Sequence, residues 1–421
     1  MIKHILKIIW TQRKNNGWIF LELTVVICAL WWMTDRLYVD LRTCYSPMGY
    51  DISNTWRFKL DKLNPLSPDF VIEADDASGQ AQDLLTLISR IRQHPSVEGV
   101  CVTYYSCPYS LGNMWRNFEP ADGDTAVASG KSFQMRKVSV EYFDVFRVKD
   151  KYGNPVTPQL EGIHRPIVIS EDMETLFYHG EEAKGRKVHY NESEVAITIA
   201  AVSSPVRTNE YSRSEPCFFD CATGSEFIAL VNDFGAENAE LCVRMKQHAT
   251  LDDMNKLLSE MGGQLTVNNL HVYGVRKIED FRYEQIRSYE SARDQQLSLM
   301  LFLLVNVFFG IVGTFWLRTQ SRRSESGLRI ALGASNRSLT KYLFSEGLCL
   351  LALTLPLVAL FILNMVYMDR LDSYRIPFSW MRFIIITGGT YLLMAVMICL
   401  GILFPVRKIS KMSPAEALHY E

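Results

Sequence analysis

Four apolar segments, each about as long as a membrane is thick, constrain this chain more than any other feature. Residues 17–34, 297–317, 342–367 and 383–405 contain very few charged side chains. An α-helix needs roughly 20 apolar residues to cross a hydrocarbon core of about 30 Å, and such a helix satisfies all its backbone hydrogen bonds internally. The sequence therefore predicts four transmembrane helices.

The first apolar segment has two interpretations. Basic residues precede it at Lys3, Lys7, Arg13 and Lys14, as they would precede a cleaved signal peptide. However, Cys28–Met33 lacks small residues at cleavage-site spacing, and Ile27 is too large for lipoprotein-type cleavage before Cys28. We therefore predict a retained first transmembrane helix, with cleavage as the alternative.

Basic residues near the ends of the spans predict the orientation. Residues 1–16, the loop 318–341 and the tail 406–421 are basic, whereas the loop 368–382 carries both signs of charge. Lysine and arginine concentrate on the cytoplasmic side of membrane proteins. We predict that both termini and the loop 318–341 are cytoplasmic, and that residues 35–296 and 368–382 lie outside. The apolar spacing in residues 1–16 favours an amphipathic helix on the inner leaflet over a disordered basic leader.

The large outer region contains two β-α-β patterns. The first comprises strands at 69–75 and 97–106 around a helix at 78–94. The second comprises strands at 226–232, 241–246 and 264–273 with a helix at 251–261. These patterns predict one α/β part formed by about 60–109 and 225–275. The turn-rich stretch between them, about 110–224, predicts an inserted β-rich subdomain.

The predicted fold class is thus an α+β membrane protein. Its four transmembrane helices carry a large outer domain, with an α/β and a β-rich subdomain, inserted between helices 1 and 2. Residues 277–296 are charged, lack glycine and proline, and repeat apolar side chains at helical spacing. They predict a stalk helix continuous with the second span, and residues 35–45 would form a counterpart below the first.

Charge and cysteine content exclude some classes of function. A net charge of −2 argues against a nucleic-acid binder. Six cysteines lie in the predicted outer region, an even number that allows disulfides without indicating their pairing: Cys44, Cys101, Cys107, Cys217, Cys221 and Cys242. The spacing of Cys217 and Cys221 is a weak metal-site pattern, because no second cysteine pair or histidine cluster accompanies it.

Catalytic motifs are absent from the sequence. Gly130-Lys131-Ser132 resembles the end of a phosphate-binding loop, but Thr125 stands where that loop requires glycine. The eight histidines are scattered, so the chain is predicted not to be an enzyme. Glu22 and Glu346 lie inside predicted spans, and we interpret them as solvated or paired at the membrane interface, with a functional role as the alternative.

The loop 318–341 carries an apolar stripe. The stripe consists of Leu328, Ile330, Ala331 and Leu332, and it lies beside Arg322, Arg323, Glu325 and Arg329. Gly333 is suited to end such a helix, and Ser335 to cap the next one. The sequence predicts a short helix that docks a cytoplasmic protein, and a membrane-surface helix is the alternative.

Residues 325–335, Glu-Ser-Gly-Leu-Arg-Ile-Ala-Leu-Gly-Ala-Ser, resemble the cytoplasmic E-I-G-L-R-x-A-L-G-A motif of FtsX/MacB-type ABC transporter permeases. Ser326 departs from the aliphatic residue usual there. Residues 346–348 and 414–418 resemble later family segments, and residues 140–146, 168–185 and 197–206 resemble the MacB-like periplasmic core domain.

This resemblance implies a permease subunit of the bacterial inner membrane, multi-pass and surrounded by lipid. It would pair with a second protomer, identical or different, and with a separate ABC ATPase that binds and hydrolyses Mg-ATP, so this chain itself would hold no cofactor or metal. The residues implied in ATPase coupling are Glu325, Gly327, Leu328, Arg329, Ala331, Leu332, Gly333 and Ala334.

Three functions fit these expectations. The first is mechanotransmission of ATPase motion to the periplasmic domain for efflux or export, with a periplasmic adaptor and an outer-membrane duct as further partners. The second is FtsX-like control of a periplasmic cell-wall hydrolase, and the third is a membrane sensor without transport. The substrate and the outer-membrane partner are not indicated by the sequence.

Overall fold

A computed structural model of the chain describes residue 11 and residues 13–72, 77–110, 112–128, 130–190, 196–321 and 336–409. The chain divides into two compact units. The helical unit comprises Met1–Tyr45 and Tyr289–Glu421, and the sheet unit comprises Ser46–Ser288. The mixture of helix and strand expected from the sequence is confirmed.

The helices are α1 (Arg13–Cys44), α2 (Ala77–Arg92), α3 (Thr125–Ala128), α4 (Tyr142–Val145), α5 (Thr157–Leu160), α6 (Glu171–Tyr178), α7 (Ser225–Phe234), α8 (Leu251–Met261), α9 (Ile278–Ser321), α10 (Asn336–Leu353), α11 (Leu355–Tyr367) and α12 (Trp380–Ile409), and a 3₁₀ turn covers Gly262–Leu265. The strands are β1 (Thr55–Lys62), β2 (Val97–Tyr104), β3 (Met114–Pro120), β4 (Ser132–Ser139), β5 (Ile167–Ser170), β6 (Lys187–Tyr190), β7 (Ile197–Ser203), β8 (Cys217–Ala222), β9 (Glu240–Met245), β10 (Thr266–Val267) and β11 (Leu270–Lys277).

Within the described residues, four helical stretches are long and apolar enough to cross a membrane. They are Gly17–Cys44, Ile278–Thr314, Thr340–Tyr367 and Trp380–Leu403. Their buried side chains form one core inside the helical unit, in which Leu30, Trp31 and Met394 are fully enclosed. The four candidate spans agree in position with the four apolar segments of the sequence.

The third span is interrupted at Thr354. α10 ends at Leu353 and α11 begins at Leu355. Pro356, in the first turn of α11, has no backbone N–H to donate, so the regular hydrogen-bond ladder is interrupted here. The Thr354 hydroxyl donates to the Leu351 carbonyl at 2.6 Å and lies 3.0 Å from the Tyr391 hydroxyl of α12, which satisfies polar groups at the break.

The described strands of the sheet unit form one hydrogen-bonded sheet in the order β10-β11-β1-β9-β2-β4-β3-β6-β7-β5-β8. The first five strands pack against α2, α7 and α8 around one apolar core. The strands β3–β8 all follow β2 and precede β9 in the chain, within the interval where the sequence predicts a β-rich insertion. Among the described strands, a short pairing joins the two groups of neighbours, with Thr103 opposite Val138 and Tyr104 opposite Lys137.

Several sequence-based elements are confirmed. The helix over 251–261 has the predicted bounds, and a capping box in which Thr250 and Asp253 bond reciprocally fixes its start. The predicted helix at 78–94 corresponds to α2, and the predicted strands at 97–106 and 241–246 correspond to β2 and β9.

Three strand predictions are wrong. Residues 69–72 form no strand, and the strand pairing with β9 and β11 is instead β1. Residues 226–232 belong to helix α7, because Phe227, Leu230 and Val231 recur at helical spacing and are buried on one face. The predicted strand at 264–273 is a hairpin that turns at Asn268, whose φ is 49°.

Candidate functional site

The residues predicted to couple to an ATPase lie outside the described part of the chain. Glu325, Gly327, Leu328, Arg329, Ala331, Leu332, Gly333 and Ala334 all fall in the interval 322–335 between α9 and α10. The predicted amphipathic helix at 1–16 lies largely outside it as well, and so does the end of the tail 406–421. The docking assignment therefore remains a prediction. The described residues of the helical unit nevertheless show the helices that flank this interval.

α9 is a single helix of 44 residues. At about 1.5 Å per residue it is about 66 Å long, roughly twice the length needed to cross a hydrocarbon core. Ile278 and Ile286 near its start are buried in a core of the sheet unit, whereas Val307 and Ile311 are buried in the helical unit. The predicted continuity of residues 277–296 with the second span is confirmed. α1 likewise continues past the predicted span end at residue 34 to Cys44.

A group of ion pairs, one of them fully buried, connects α1 to the first turn of α12 and to the segment before it. We call it the Asp–Arg clasp, and it consists of Asp35, Asp40, Asp372, Arg375 and Arg382. Arg382 binds Asp35 through two parallel hydrogen bonds, from Nε to Oδ1 at 2.8 Å and from Nη2 to Oδ2 at 2.7 Å. Arg375 donates from Nη1 to Asp40 at 2.7 Å and from Nε to Asp372 at 2.5 Å.

The environment of Arg382 compensates for its burial. The side chains of Arg382 and Asp35 are only 1% and 3% exposed. The remaining nitrogen, Nη1, donates to the backbone carbonyls of Asp372 at 3.0 Å and Ile376 at 2.6 Å. A buried arginine is tolerated only when its charge is paired and its donors are satisfied. The guanidinium therefore ties α1 to the 368–382 loop in one defined geometry.

The second half of the clasp is less buried. Burial opposes ionisation of Asp372, but the backbone N–H and the guanidinium of Arg375 hold the pKa of Asp372 below its ordinary value. Asp372 is thus charged at neutral pH. Its backbone carbonyl also accepts from Arg382, so the two arginines share one loop segment and both reach carboxylates of α1.

Further contacts hold the helices around α1. The Gln296 side chain of α9 donates to the Met33 carbonyl at 2.9 Å, and Trp31 Nε1 donates to Thr387 Oγ1 of α12 at 3.0 Å. Each contact fastens α1 to a different neighbour. α1 is therefore held by α9, by the 368–382 loop and by α12.

Glycines allow two close helix contacts. At Gly310 of α9, an added Cβ would lie 2.8 Å from Glu22 Oε1. At Gly401 of α12, it would lie 2.7 Å from Ile311 Cγ2. Small residues at such crossings let membrane helices approach each other closely.

Glu346 of the third span is fully buried. It is therefore not solvated at the membrane interface, which was one of the interpretations drawn from the sequence.

The clasp was missed by sequence reasoning. In the sequence, the charges of the 368–382 loop indicate only the orientation of the chain, and no motif singles out Asp35 or Asp40. The sequence does contain a signal: two carboxylates, Asp35 and Asp40, follow the first apolar segment, and Arg375 and Arg382 precede the fourth, on the side of the membrane predicted for both. Their pairing joins residues 347 positions apart, which periodicity does not reveal.

The sheet unit contains no group of three or more His, Cys, Asp or Glu side chains placed to hold a metal ion among its described residues. All nine cysteines of the chain fall in described segments, and each is a free thiol in this structure. Cys217 and Cys221 are buried in one core, as small apolar side chains commonly are.

Comparison with known proteins identifies a domain at the C-terminal side. Residues 297–414, a little over a quarter of the chain, match the family described as FtsX-like permease C-terminal. This match confirms the FtsX-type resemblance inferred from the sequence. No curated protein matches the chain.

Three solved structures are similar to part of the chain. The periplasmic region of MacB from Actinobacillus actinomycetemcomitans is 12% identical with a TM-score of 0.33, covering 58% of this chain and 97% of that one. A domain of a protein described as a permease from Porphyromonas gingivalis is 16% identical with a TM-score of 0.33, covering 55% of this chain and 92% of that one. The extracellular domain of the noncanonic ABC-type transporter YknZ from Gram-positive bacteria is 14% identical with a TM-score of 0.30, covering 52% and 100%.

Proposed function

We propose that this chain is the permease subunit of a MacB-like ABC transporter, and that it transmits the motion of an ATPase across the bacterial inner membrane to a periplasmic domain. The observation that carries the proposal is an FtsX-like permease domain whose first helix is the end of α9. That helix begins in one core of the sheet unit, at Ile278 and Ile286, and runs without a break through its apolar segment. A displacement of its cytoplasmic end would therefore be carried along the helix to the sheet unit.

The composition of the spans supports transmission over conduction. The buried side chains of the four spans are mostly apolar, with Glu346 an exception. The ion pairs of the Asp–Arg clasp lie toward the C-terminal end of α1, in the loop before α12 and in the first turn of α12. A hydrophilic pore would need polar side chains along its length, because ions and peptides must exchange their water for protein groups. Work done on the periplasmic domain requires no such pore.

The orientation belongs to the same proposal. Both termini and the interval 322–335 are cytoplasmic, and the sheet unit is periplasmic, as the distribution of lysine and arginine predicts. ATP binding and hydrolysis then occur in a separate ABC ATPase subunit docked on residues 325–334. A second permease protomer, identical or different, completes the assembly, as the resemblance to FtsX/MacB-type permeases implies.

The transported substrate would be met in the periplasm, and its efflux or export would use an adaptor and an outer-membrane duct. The alternative is FtsX-like control of a cell-wall hydrolase. The size of the sheet unit, Ser46–Ser288, favours the MacB-like function, since regulators of that type usually carry a smaller outer domain. The periplasmic protein that accompanies the purified permease would separate the two.

The docking assignment is tested by Leu328→Asp. A carboxylate in the apolar stripe would have to be buried without a partner when the ATPase docks, which costs several kcal/mol. We expect this variant to insert normally in the membrane and to lose at least tenfold in ATPase recovered by affinity purification.

A matched control is Ser326→Asp. It adds the same charge at a position about 200° away around a helix, off the stripe. Recovery should stay close to that of the unmodified protein. Equal ATPase recovery with Leu328→Asp and with the unmodified protein would disprove docking through this stripe.

A further inference from the structure

Five buried cysteines lie in one core of the sheet unit, and three of them are close neighbours. Cys101 of β2 and Cys242 of β9 are directly opposite in the strand register. Cys107 follows β2 after a turn, and its Sγ lies 3.6 Å from the Sγ of Cys242. We call Cys101, Cys107 and Cys242 the thiol cluster, and each of its members is at most 4% exposed.

Glu240 explains why Cys107 reaches this place. Its Oε2 accepts hydrogen bonds from the backbone N–H groups of Ser106 and Cys107 at 2.9 and 2.8 Å, and from the Thr103 hydroxyl at 2.7 Å. Glu240 precedes Cys242 by two positions, so both side chains leave the same face of β9. The turn after β2 is thereby anchored with Cys107 against Cys242.

We propose that Cys107 and Cys242 form a disulfide as the sheet unit matures. The inference rests on the proposed periplasmic location, because disulfides persist in that compartment and are rare in the cytosol. The Sγ–Sγ bond forms as both S–H bonds break. The S–S bond of a disulfide donor of the thiol-oxidoreductase class breaks in exchange, and the donor takes up the two electrons and the two protons to become its dithiol.

Cys107 is the partner of Cys242 because of where it stands in the chain. Cys101 lies inside β2, and its neighbours Val100 and Val102 are also held in register with β9. Its Sγ is tied to the position of the strand. Cys107 lies in a turn outside the strand, where a small backbone adjustment brings 3.6 Å to the bond length of about 2.05 Å.

The timing of the bond also follows from the structure. The hydrogen bond with Cys242 and burial raise the pKa of the Cys107 thiol well above its ordinary value. The reactive thiolate is therefore scarce once the core has closed. The disulfide must form during folding, before Cys107 is buried, and oxidants added to a reduced, folded protein should act slowly.

The disulfide would join the two ends of the segment that contains β3–β8. The segment leaves the first group of strands after β2 and returns at β9. A bond between Cys107 and Cys242 closes a loop of more than 100 residues, and long loops gain the most from closure because the unfolded chain is restricted. Reduction should lower the melting temperature of the sheet unit by at least about 5 °C.

The test uses full-length protein from membranes. Free thiols are blocked with N-ethylmaleimide in denaturant at lysis, and the digested protein is analysed by mass spectrometry. We expect a peptide pair linked through Cys107 and Cys242, with the other seven cysteines alkylated. Cys107→Ser and Cys242→Ser should each abolish that pair, whereas the control Cys221→Ser should keep it. Alkylation of all nine cysteines, or a Cys101–Cys242 link, would overturn the proposal.

A parallel measurement separates this inference from the proposed location. Tyr152, 72% exposed on the sheet unit, is replaced by cysteine and labelled in whole cells with a maleimide that does not cross the inner membrane. Labelling without the disulfide rejects the disulfide and retains the location. Failure of both labelling and linkage rejects both.

Discussion

Removing one charge of the Asp–Arg clasp should strongly destabilise the helical unit. In Asp35→Asn, the side chain keeps its shape but loses the negative charge that faces Arg382. The guanidinium is 1% exposed, so water does not replace the lost partner. An amide also directs its own N–H₂ toward donors of Arg382, which leaves at least one hydrogen bond unmade.

The structure limits how large the loss of stability in Asp35→Asn should be. Breaking a buried ion pair by removing one partner costs about 3–5 kcal/mol. Arg382 Nη1 keeps its two carbonyl acceptors, and Arg375 keeps both carboxylates, so we expect the lower end of that range. About 3 kcal/mol corresponds to a fall in melting temperature of about 6–12 °C for a unit of this size.

The assay is thermal unfolding of the detergent-purified protein, followed by the aggregation of a C-terminal fluorescent fusion. The matched control is Asp369→Asn, which neutralises an exposed carboxylate in the same loop and should change stability by less than about 0.5 kcal/mol. The double variant Asp35→Asn with Arg382→Met should recover much of the loss, because no unpaired charge remains buried. A melting temperature for Asp35→Asn within about 2 °C of that of the Asp369→Asn control would refute this account of the clasp.

Two further predictions concern packing and pH. Gly401→Ala should lower the melting temperature by an amount equivalent to about 1–3 kcal/mol, because the new Cβ would lie 2.7 Å from a methyl of Ile311, a side chain with little χ1 freedom in a helix. The control is Gly388→Ala in the same helix, where a Cβ meets nothing within 4 Å and the change should be neutral or stabilising. The thermal assay used for the clasp compares the two variants. In the sheet unit, burial opposes ionisation of Asp51, but hydrogen bonds from Ser53 and the charges of two nearby arginines hold the pKa of Asp51 below its ordinary value. The stability that the charged Asp51 contributes is complete above about pH 4 and is lost as the pH falls through the lowered pKa. Asp51→Asn should therefore reduce the fall in melting temperature on acidification. A pH profile of the melting temperature identical to that of the unmodified protein would contradict this prediction.

Local patterns predicted the helices well for physical reasons. Apolar length identified all four candidate spans, and the spacing of apolar side chains identified α8. The same spacing was overlooked in residues 226–232, where a short apolar run with Phe227 and Ile228 suits either a strand or a helix. The length of the run does not distinguish a strand from a helix, whereas the burial of Phe227, Leu230 and Val231 on one face in the structure identifies a helix.

Long-range pairing accounts for what the sequence did not predict. The position of β1 between β9 and β11 depends on contacts between distant parts of the chain. The clasp similarly joins Asp35 to Arg382, and the thiol cluster joins Cys107 to Cys242. Such contacts have no periodic signature in one sequence. The docking motif at 325–334 is the opposite case, since a local pattern predicts it and the described residues do not include it.

The most direct test of the central claim is affinity purification of the tagged protein from membranes, with and without ATP trapped by a transition-state analogue, followed by mass spectrometry. The account predicts recovery of an ABC ATPase, in an amount that changes with trapped nucleotide, together with a periplasmic adaptor. Recovery of a cell-wall hydrolase with the ATPase would replace export by hydrolase control. Recovery of the protein without any ATPase in either state would contradict the account and favour a sensor.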